Sequence, residues 1–242
     1  MRTLILKELK SYFFLPIVHI LIGFYLLINS FILLFFETNY NIIKSNFIDI
    51  NSFFELSPWI LLIIIPSICM RTFSEEISNG TIEILITKPI SLTKILLGKY
   101  LSIQFLIIFC FLLCTPYFLI ANNLINSDSN IDLGVIFFAF ISLILLSSVF
   151  ILISICVSLR FKTQFSIFLV SFLICFIDYY LINLISEYSN NSSLYSFINN
   201  IGIQIHYHRL SIGIINLNDI TYFVLNLFLF FFIGLKSMKN IK

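Results

Sequence analysis

The chain has 242 residues, of which 60% are hydrophobic and only 11% charged, with a formal net charge of +2 and a mean hydropathy of +1.05. Soluble domains carry about a quarter charged residues, so this composition excludes an ordinary soluble enzyme and describes an all-α, polytopic membrane protein. So small a net charge gives no support to a nucleic-acid partner, and what matters is where the charges lie.

Residues 1–14 set Arg2, Lys7, Glu8 and Lys10 among Leu4, Ile5, Leu6, Leu9 and Phe13. The pattern fits a short amphipathic helix on the membrane surface, or equally a basic flank of the first span. No cleavable leader is expected, because the first apolar run is too long and no small-residue cleavage site follows it. Pro16 suits the first turn of a helix, and residues 15–36 then give an apolar run that reaches the roughly 20 residues needed to cross a bilayer. Residues 37–55 form a polar outer loop with Lys44 as its one basic side chain. Residues 56–73 make a second span, with Pro58 and Trp59 at its outer end, Arg71 at its inner end and Pro66 inside, where the missing N–H predicts a kink.

The third span is expected over 100–121, with Pro116 internal, and the loop 122–132 after it lacks Lys and Arg. A fourth span over 133–159 leads through a short basic turn at Arg160 and Lys162 to a fifth over 165–185. Residues 186–219 are too broken to cross and form an extracytoplasmic segment. A sixth span over 220–235 is short and is expected to borrow length from 212–215. Of the 14 lysines and arginines, all but Lys44 and Arg209 fall in the amino-terminal flank, the central loop, the turn at Arg160 or the tail. Six spans with both termini cytoplasmic follow from that bias.

The long polar interruption is the cytoplasmic loop 74–99, with its flank from Arg71. Thr72 with Glu75 fits a capping box, and Asn79-Gly80 fits a helix terminator. Thr81 then opens a second short helix over 82–87 that Pro89 stops, and Ser91 caps the helix leading into the third span. Ile82, Ile84, Leu85 and Ile86 are too apolar for a free solvated face. Glu75, Glu76 and Glu83 disfavour the anionic inner leaflet as their cover, so a partner protein is expected there.

Phe73 to Leu85, followed by Lys88-Pro89 and Leu97-Gly98-Lys99-Tyr100, resembles the corresponding loop of type-2 ABC transporter permeases. The flanking motifs add to this likeness: Lys7-Glu8, Ser11-Tyr12-Phe13, Phe53-Phe54, Ser57-Pro58-Trp59, Met70-Arg71 and His206-Tyr207, with Gly213, Asp219, Tyr222 and Phe223. They are similar to the branch of that family associated with gliding motility in Bacteroidetes. One departure stands out. The family's Ser-Arg-Gly-Val-Ile-Asp before the last span has Ile212 and Asn216 here in place of the Arg and the Asp, which implies a lost salt bridge.

The resemblance implies a non-catalytic permease subunit of the cytoplasmic (inner) membrane. It acts with a separate cytoplasmic ABC ATPase and with a second permease, identical or different, in the membrane lipid. A coupling element of Glu75, Glu76, Gly80, Thr81, Ile82, Glu83, Leu85 and Ile86 docks on the ATPase. The chain has no Gly-x4-Gly-Lys-Ser/Thr loop, so it binds no cofactor itself and ATP with Mg belongs to the partner. The plainer reading of the carboxylates is pairing with Lys88 or Lys94, where an exposed pair contributes only about 0 to 1 kcal/mol.

Outside the loop, Asp178 is an acidic residue within an apolar stretch, either functional in the membrane or interfacial beside Tyr179, Tyr180 and Asn183. His206 and His208 flank Tyr207 but lack a third ligand, so outer-loop polarity is the simpler reading than a metal site. The five cysteines are expected to be packing residues within the spans. A membrane scaffold without transport is the main alternative. An intramembrane protease with a Glu-Glu pair is disfavoured, because Gly80 stands where that motif needs an arginine.

Overall fold

The computed structural model describes residues 2–32, 51–81, 91–116, 133–187, 195 and 198–241. Among these every regular element is a helix. In chain order they are α1 (Arg2–Phe14), α2 (Pro16–Ser30), α3 (Asn51–Cys69), α4 (Ser74–Ser78), α5 (Leu92–Leu113) and α6 (Leu133–Ser158). There follow α7 (Gln164–Phe176), a π-helical turn (Ile177–Leu181), α8 (Ile182–Glu187), α9 (Ile203–Ser211) and α10 (Leu217–Ile241). Among the described residues five stretches are long and apolar enough to cross a membrane: Asn51–Ser78, Leu92–Leu113, Gly134–Ser158, Gln164–Ser186 and Leu217–Asn240. The bent pair of α1 and α2 makes a sixth if it counts as one.

The middle of the bundle is α6, which packs against α3, α5, α7, α9 and α10. It carries no charge, and its small side chains allow neighbours to come close. Ser142, Ser147, Ser148, Ser154 and Ser158 are all buried, yet none leaves its hydroxyl idle. Each donates to a carbonyl three or four residues back, at 2.6–2.9 Å. In an environment without water this self-satisfaction lets a polar stripe sit in the core.

The first two helices meet at a sharp elbow. Leu15 is extended, Pro16 occupies the first turn of α2, and the two axes differ by 75°. Residues 2–14 thus form a helix of their own, set off from α2 by the bend. Leu4, Glu8 and Tyr12, at successive i, i+4 positions, form the face turned to α5. Gly98 makes room for this packing: a Cβ there would meet Leu4 Cδ2 at 2.0 Å, and the tip of the Leu4 side chain would have to turn away.

Several expectations change. The capping box does not form, since Phe73 is the N-cap of α4 and makes no side-chain bond. The Thr72 hydroxyl is buried instead, 2.7 Å from the Cys69 carbonyl and 3.1 Å from Ser158 Oγ, so it ties the end of α3 to α6. The helix leading into the third span starts at Leu92 with Ser91 at its N-cap, as expected, although Ser91 makes no side-chain cap bond, and it carries Lys99 into the protein. The helix breaks at Cys114, and Thr115 and Pro116 are helical again; the rest of the expected span, 117–121, lies outside the described residues. The last span does not borrow from 212–215: Gly213, at φ +84°, turns the chain there, and α10 gains its length by running on to Ile241. The 82–87 helix lies outside the described residues.

Candidate functional site

Where α4 begins, the sequence leaves a charged helix end beside the apolar bundle, and one cation organises it. Lys99, near the start of α5, is only 2% exposed. Its ammonium donates to the Thr72 carbonyl and to Glu76 Oε1, both at 2.8 Å, and stands 3.5 Å from Glu8 Oε2. Its remaining side faces the Phe73 ring, with Nζ 4.8 Å from the centroid. A buried ammonium is tolerated only when its donors are met by partners, and here they are. Four segments therefore converge on one atom: α1 through Glu8, the end of α3 through Thr72 and Phe73, α4 through Glu76, and α5 itself.

A half-open cavity of about 380 Å³ borders this junction. Lys7, Glu8, Tyr12, Arg71, Glu75 and Glu76 are among its lining residues. Glu76 Oε2, buried at its edge, has no protein partner. Glu75 is more loosely held, with Oε1 3.6 Å from Arg71 Nε and 3.5 Å from Gln164 Nε2. Among the described residues Glu76 thus pairs with Lys99 and Glu75 with Arg71, and neither pairs with Lys94; Lys88 lies outside those residues. Beyond α4 the chain turns at Gly80, whose φ of +66° suits glycine and ends the helix as expected. Thr81 donates to the Glu76 carbonyl at 3.3 Å. Of the expected coupling element, Glu75, Glu76, Gly80 and Thr81 are thus brought together here, while Ile82, Glu83, Leu85 and Ile86 lie outside the described residues.

A second charged cluster links α9 to α10. Asp219 is fully buried in the first turn of α10, with Oδ1 2.5 Å from His206 Nδ1 and 3.3 Å from Arg209 Nη2. His206 Nε2 lies 2.9 Å from the Asn200 carbonyl, and the imidazole stacks on Tyr222 at 4.0 Å between centroids. His206 is therefore an internal anchor and not outer-loop polarity. The ion pair inferred as lost with Ile212 and Asn216 has a counterpart here, set three residues outward on each side as Arg209 and Asp219. Tyr207, beside His206, donates to the Phe54 carbonyl at 2.5 Å, and burial pushes its phenol well above the ordinary range, so it acts as a neutral donor. Gly213 follows α9, where an added Cβ would lie 3.1 Å from Val135 Cγ2.

The other singled-out residues stand apart from both clusters. Pro66 is buried inside α3, which continues through it, and its carbonyl accepts from Met70 N–H at 2.9 Å. Asp178 falls in the π-helical turn, half-buried, with Oδ2 lacking a partner. No group of three or more metal-ligating side chains occurs among the described residues. All five cysteines are buried and free.

Sequence reasoning quoted Lys7-Glu8 and Leu97-Gly98-Lys99 without giving Glu8 or Lys99 a role, and it passed over Arg209. The available signals were the i, i+4 spacing of Leu4, Glu8 and Tyr12, and a lysine at the start of an apolar helix. A polar link in mid-bundle was missed as well: Gln104 of α5 donates to Ser147 Oγ of α6 at 3.1 Å.

A model of the family described as ABC-2 family transporter protein matches residues 7–238, nearly the whole chain. No curated protein matches it.

Proposed function

The chain belongs to the ABC-2 family of transporter proteins, and on that premise we propose how it works. As a member it is a multi-pass, non-catalytic permease component of the cytoplasmic membrane, in a family whose members generally pair with an ATPase subunit. We propose that residues 82–86 dock on that ATPase, which binds ATP and Mg²⁺, and that closure of the ATPase is delivered to the bundle through α4 and Lys99. Both termini lie in the cytoplasm in this reading, and the working unit contains a second permease, identical or different. The direction is export.

The observation that carries this reading is the Lys99 junction. A push on α4 is transmitted through a 2.8 Å charge-assisted bond to α5, and through Glu8 to α1. The proposed docking residues follow α4 directly in the chain.

Co-expression with the candidate ATPase tests it. Glu83→Lys with Leu85→Asp and Ile86→Asp abolishes co-purification of the ATPase while the protein still inserts and folds. Lys99→Met keeps the ATPase bound but loses the permease's effect on ATP hydrolysis. Recovery of no ATPase by folded wild type sinks the transport reading in favour of a membrane scaffold.

We also propose that the transporter serves gliding motility. The support is the likeness around Ser11-Tyr12-Phe13, Phe53-Phe54 and His206-Tyr207, whose buried members Tyr12, Phe53, Phe54, His206 and Tyr207 shape the interior. The chain then restores gliding in a Bacteroidetes strain lacking its own permease subunit. Failure to do so at normal expression removes this narrower assignment.

A further inference from the structure

At the end of α6 the chain leaves the bundle core with Leu159 buried and Arg160 exposed, and α10 runs alongside. Between them lies a cavity of about 430 Å³ lined by Leu159, Arg160, Ile233, Lys236, Ser237 and Asn240. Two cations, a hydroxyl and a carboxamide face it with no acidic side chain among its lining residues. Arg160 and Lys236 have no ion-pair partner among the described residues. This contrasts with Lys99 and Arg209, whose charges are met inside the protein. The cavity lies where two candidate spans end, at Ser158 and Asn240, and basic side chains at the end of a span are where a headgroup is met.

What distinguishes the cavity from a merely basic surface is the stripe that leads into it. Leu225, Leu229, Phe232 and Lys236 recur at intervals of four, three and four and so share one face of α10. The three apolar members are 68%, 52% and 65% exposed. One helix face thus carries an apolar track that ends in an ammonium, beside a guanidinium from a different helix. A ligand matching both halves needs a hydrocarbon body and an anionic head at the depth of the interface.

We propose that this cavity is a binding site for an anionic phospholipid, with its phosphate-bearing headgroup held by Arg160 and Lys236 and its acyl chains lying along Leu225, Leu229 and Phe232. The guanidinium supplies a planar fork for phosphate oxygens, and the ammonium a point charge. Ser237, mostly buried, and Asn240 add neutral hydrogen-bonding groups at the cavity wall. The site does not depend on the coupling reading and is separable from it, since it shares no residue with the Lys99 junction.

The test is native mass spectrometry of the full chain released from micelles, titrated with phosphatidylglycerol or with phosphatidylcholine of the same acyl chains. Wild type retains phosphatidylglycerol preferentially. Arg160→Gln with Lys236→Gln weakens that binding by roughly 20- to 30-fold, about fivefold per cation, and abolishes the preference. Lys162→Gln with Lys239→Gln removes the same net charge outside the cavity and changes binding less than threefold.

Should the double variant fold poorly, Lys236→Gln alone decides, because its side chain is exposed; about a fivefold loss is expected. Equal losses in the cavity variant and its charge-matched control overturn the proposal, as does glycerol phosphate binding as tightly as the lipid. A disulfide between copies at Leu229→Cys in intact membranes also overturns it, since protein and not lipid would then cover the stripe.

Discussion

Among the described residues two buried clusters of charge stand out, and they are built as opposites. At Lys99 a single cation is shared by two carboxylates and a carbonyl, drawn from segments 23 to 27 residues away and from α1, and a cavity of about 380 Å³ borders it. At Asp219 a single carboxylate is shared by an imidazole and a guanidinium, Asp219 and His206 being 13 residues apart. It is 0% exposed and backed by the ring stack of His206 on Tyr222. Where a cavity adjoins an ion pair, water can replace a partner that moves away. Where the shared group is fully enclosed, as Asp219 is, removing one partner strands a charge. The first arrangement suits a joint and the second a fixed seam.

That contrast is sharpest in the variant with the largest expected effect. Asp219→Ala leaves His206 and Arg209 facing a vacancy and costs about 3–5 kcal/mol in equilibrium unfolding in detergent. A loss below about 1 kcal/mol would show that the seam is wetter than its burial implies. Lys99→Met costs less, about 2–3 kcal/mol, because the cavity admits water to Glu8 and Glu76. Adding Glu76→Gln to it recovers part of that loss, as coupling between neighbours requires.

Salt separates the two clusters further. Raising ionic strength from about 0.1 M to 1 M shortens the screening length from about 10 Å to 3 Å. The cost of Lys99→Met then shrinks while that of Asp219→Ala holds, and equal responses would erase the distinction between joint and seam. Gly98→Val crowds Leu4 and costs about 1–3 kcal/mol, with Leu4→Ala restoring much of it. Proteolysis of α1 in the intact protein reads the same undocking. At the bottom of the scale, Arg71→Gln removes a 3.6 Å pair with exposed Glu75 and changes stability by about 0–1 kcal/mol.

Most of the helical skeleton is plain from hydropathy and helix punctuation: Pro16 opens α2, Gly80 closes the turn after α4, and Arg160 follows the end of α6. What misled is equally physical. Lys94 and Lys99 look like loop residues by charge, and nothing local to them says that Glu8, 91 positions earlier, helps neutralise one of them in the core. Thr72 and Glu75 have capping-box spacing, but the hydroxyl is recruited by Ser158, 86 positions later. His206 reads as surface polarity because its partner Asp219 sits in a different helix. Local rules describe the segments well, whereas the sites arise from pairings between segments, which a single sequence does not expose.

The elbow before Pro16 has a mechanical consequence. α1 is fastened to α5 by Glu8, by the Leu4–Gly98 contact and by the Phe13 ring set edge-on to Phe109 at 5.8 Å, while Leu6 and Phe14 are exposed, the latter 84%. Any displacement of α5 along its axis therefore pulls α1 with it, and moving the exposed Leu6 and Phe14 between apolar and aqueous surroundings costs about 25 cal/mol per Å².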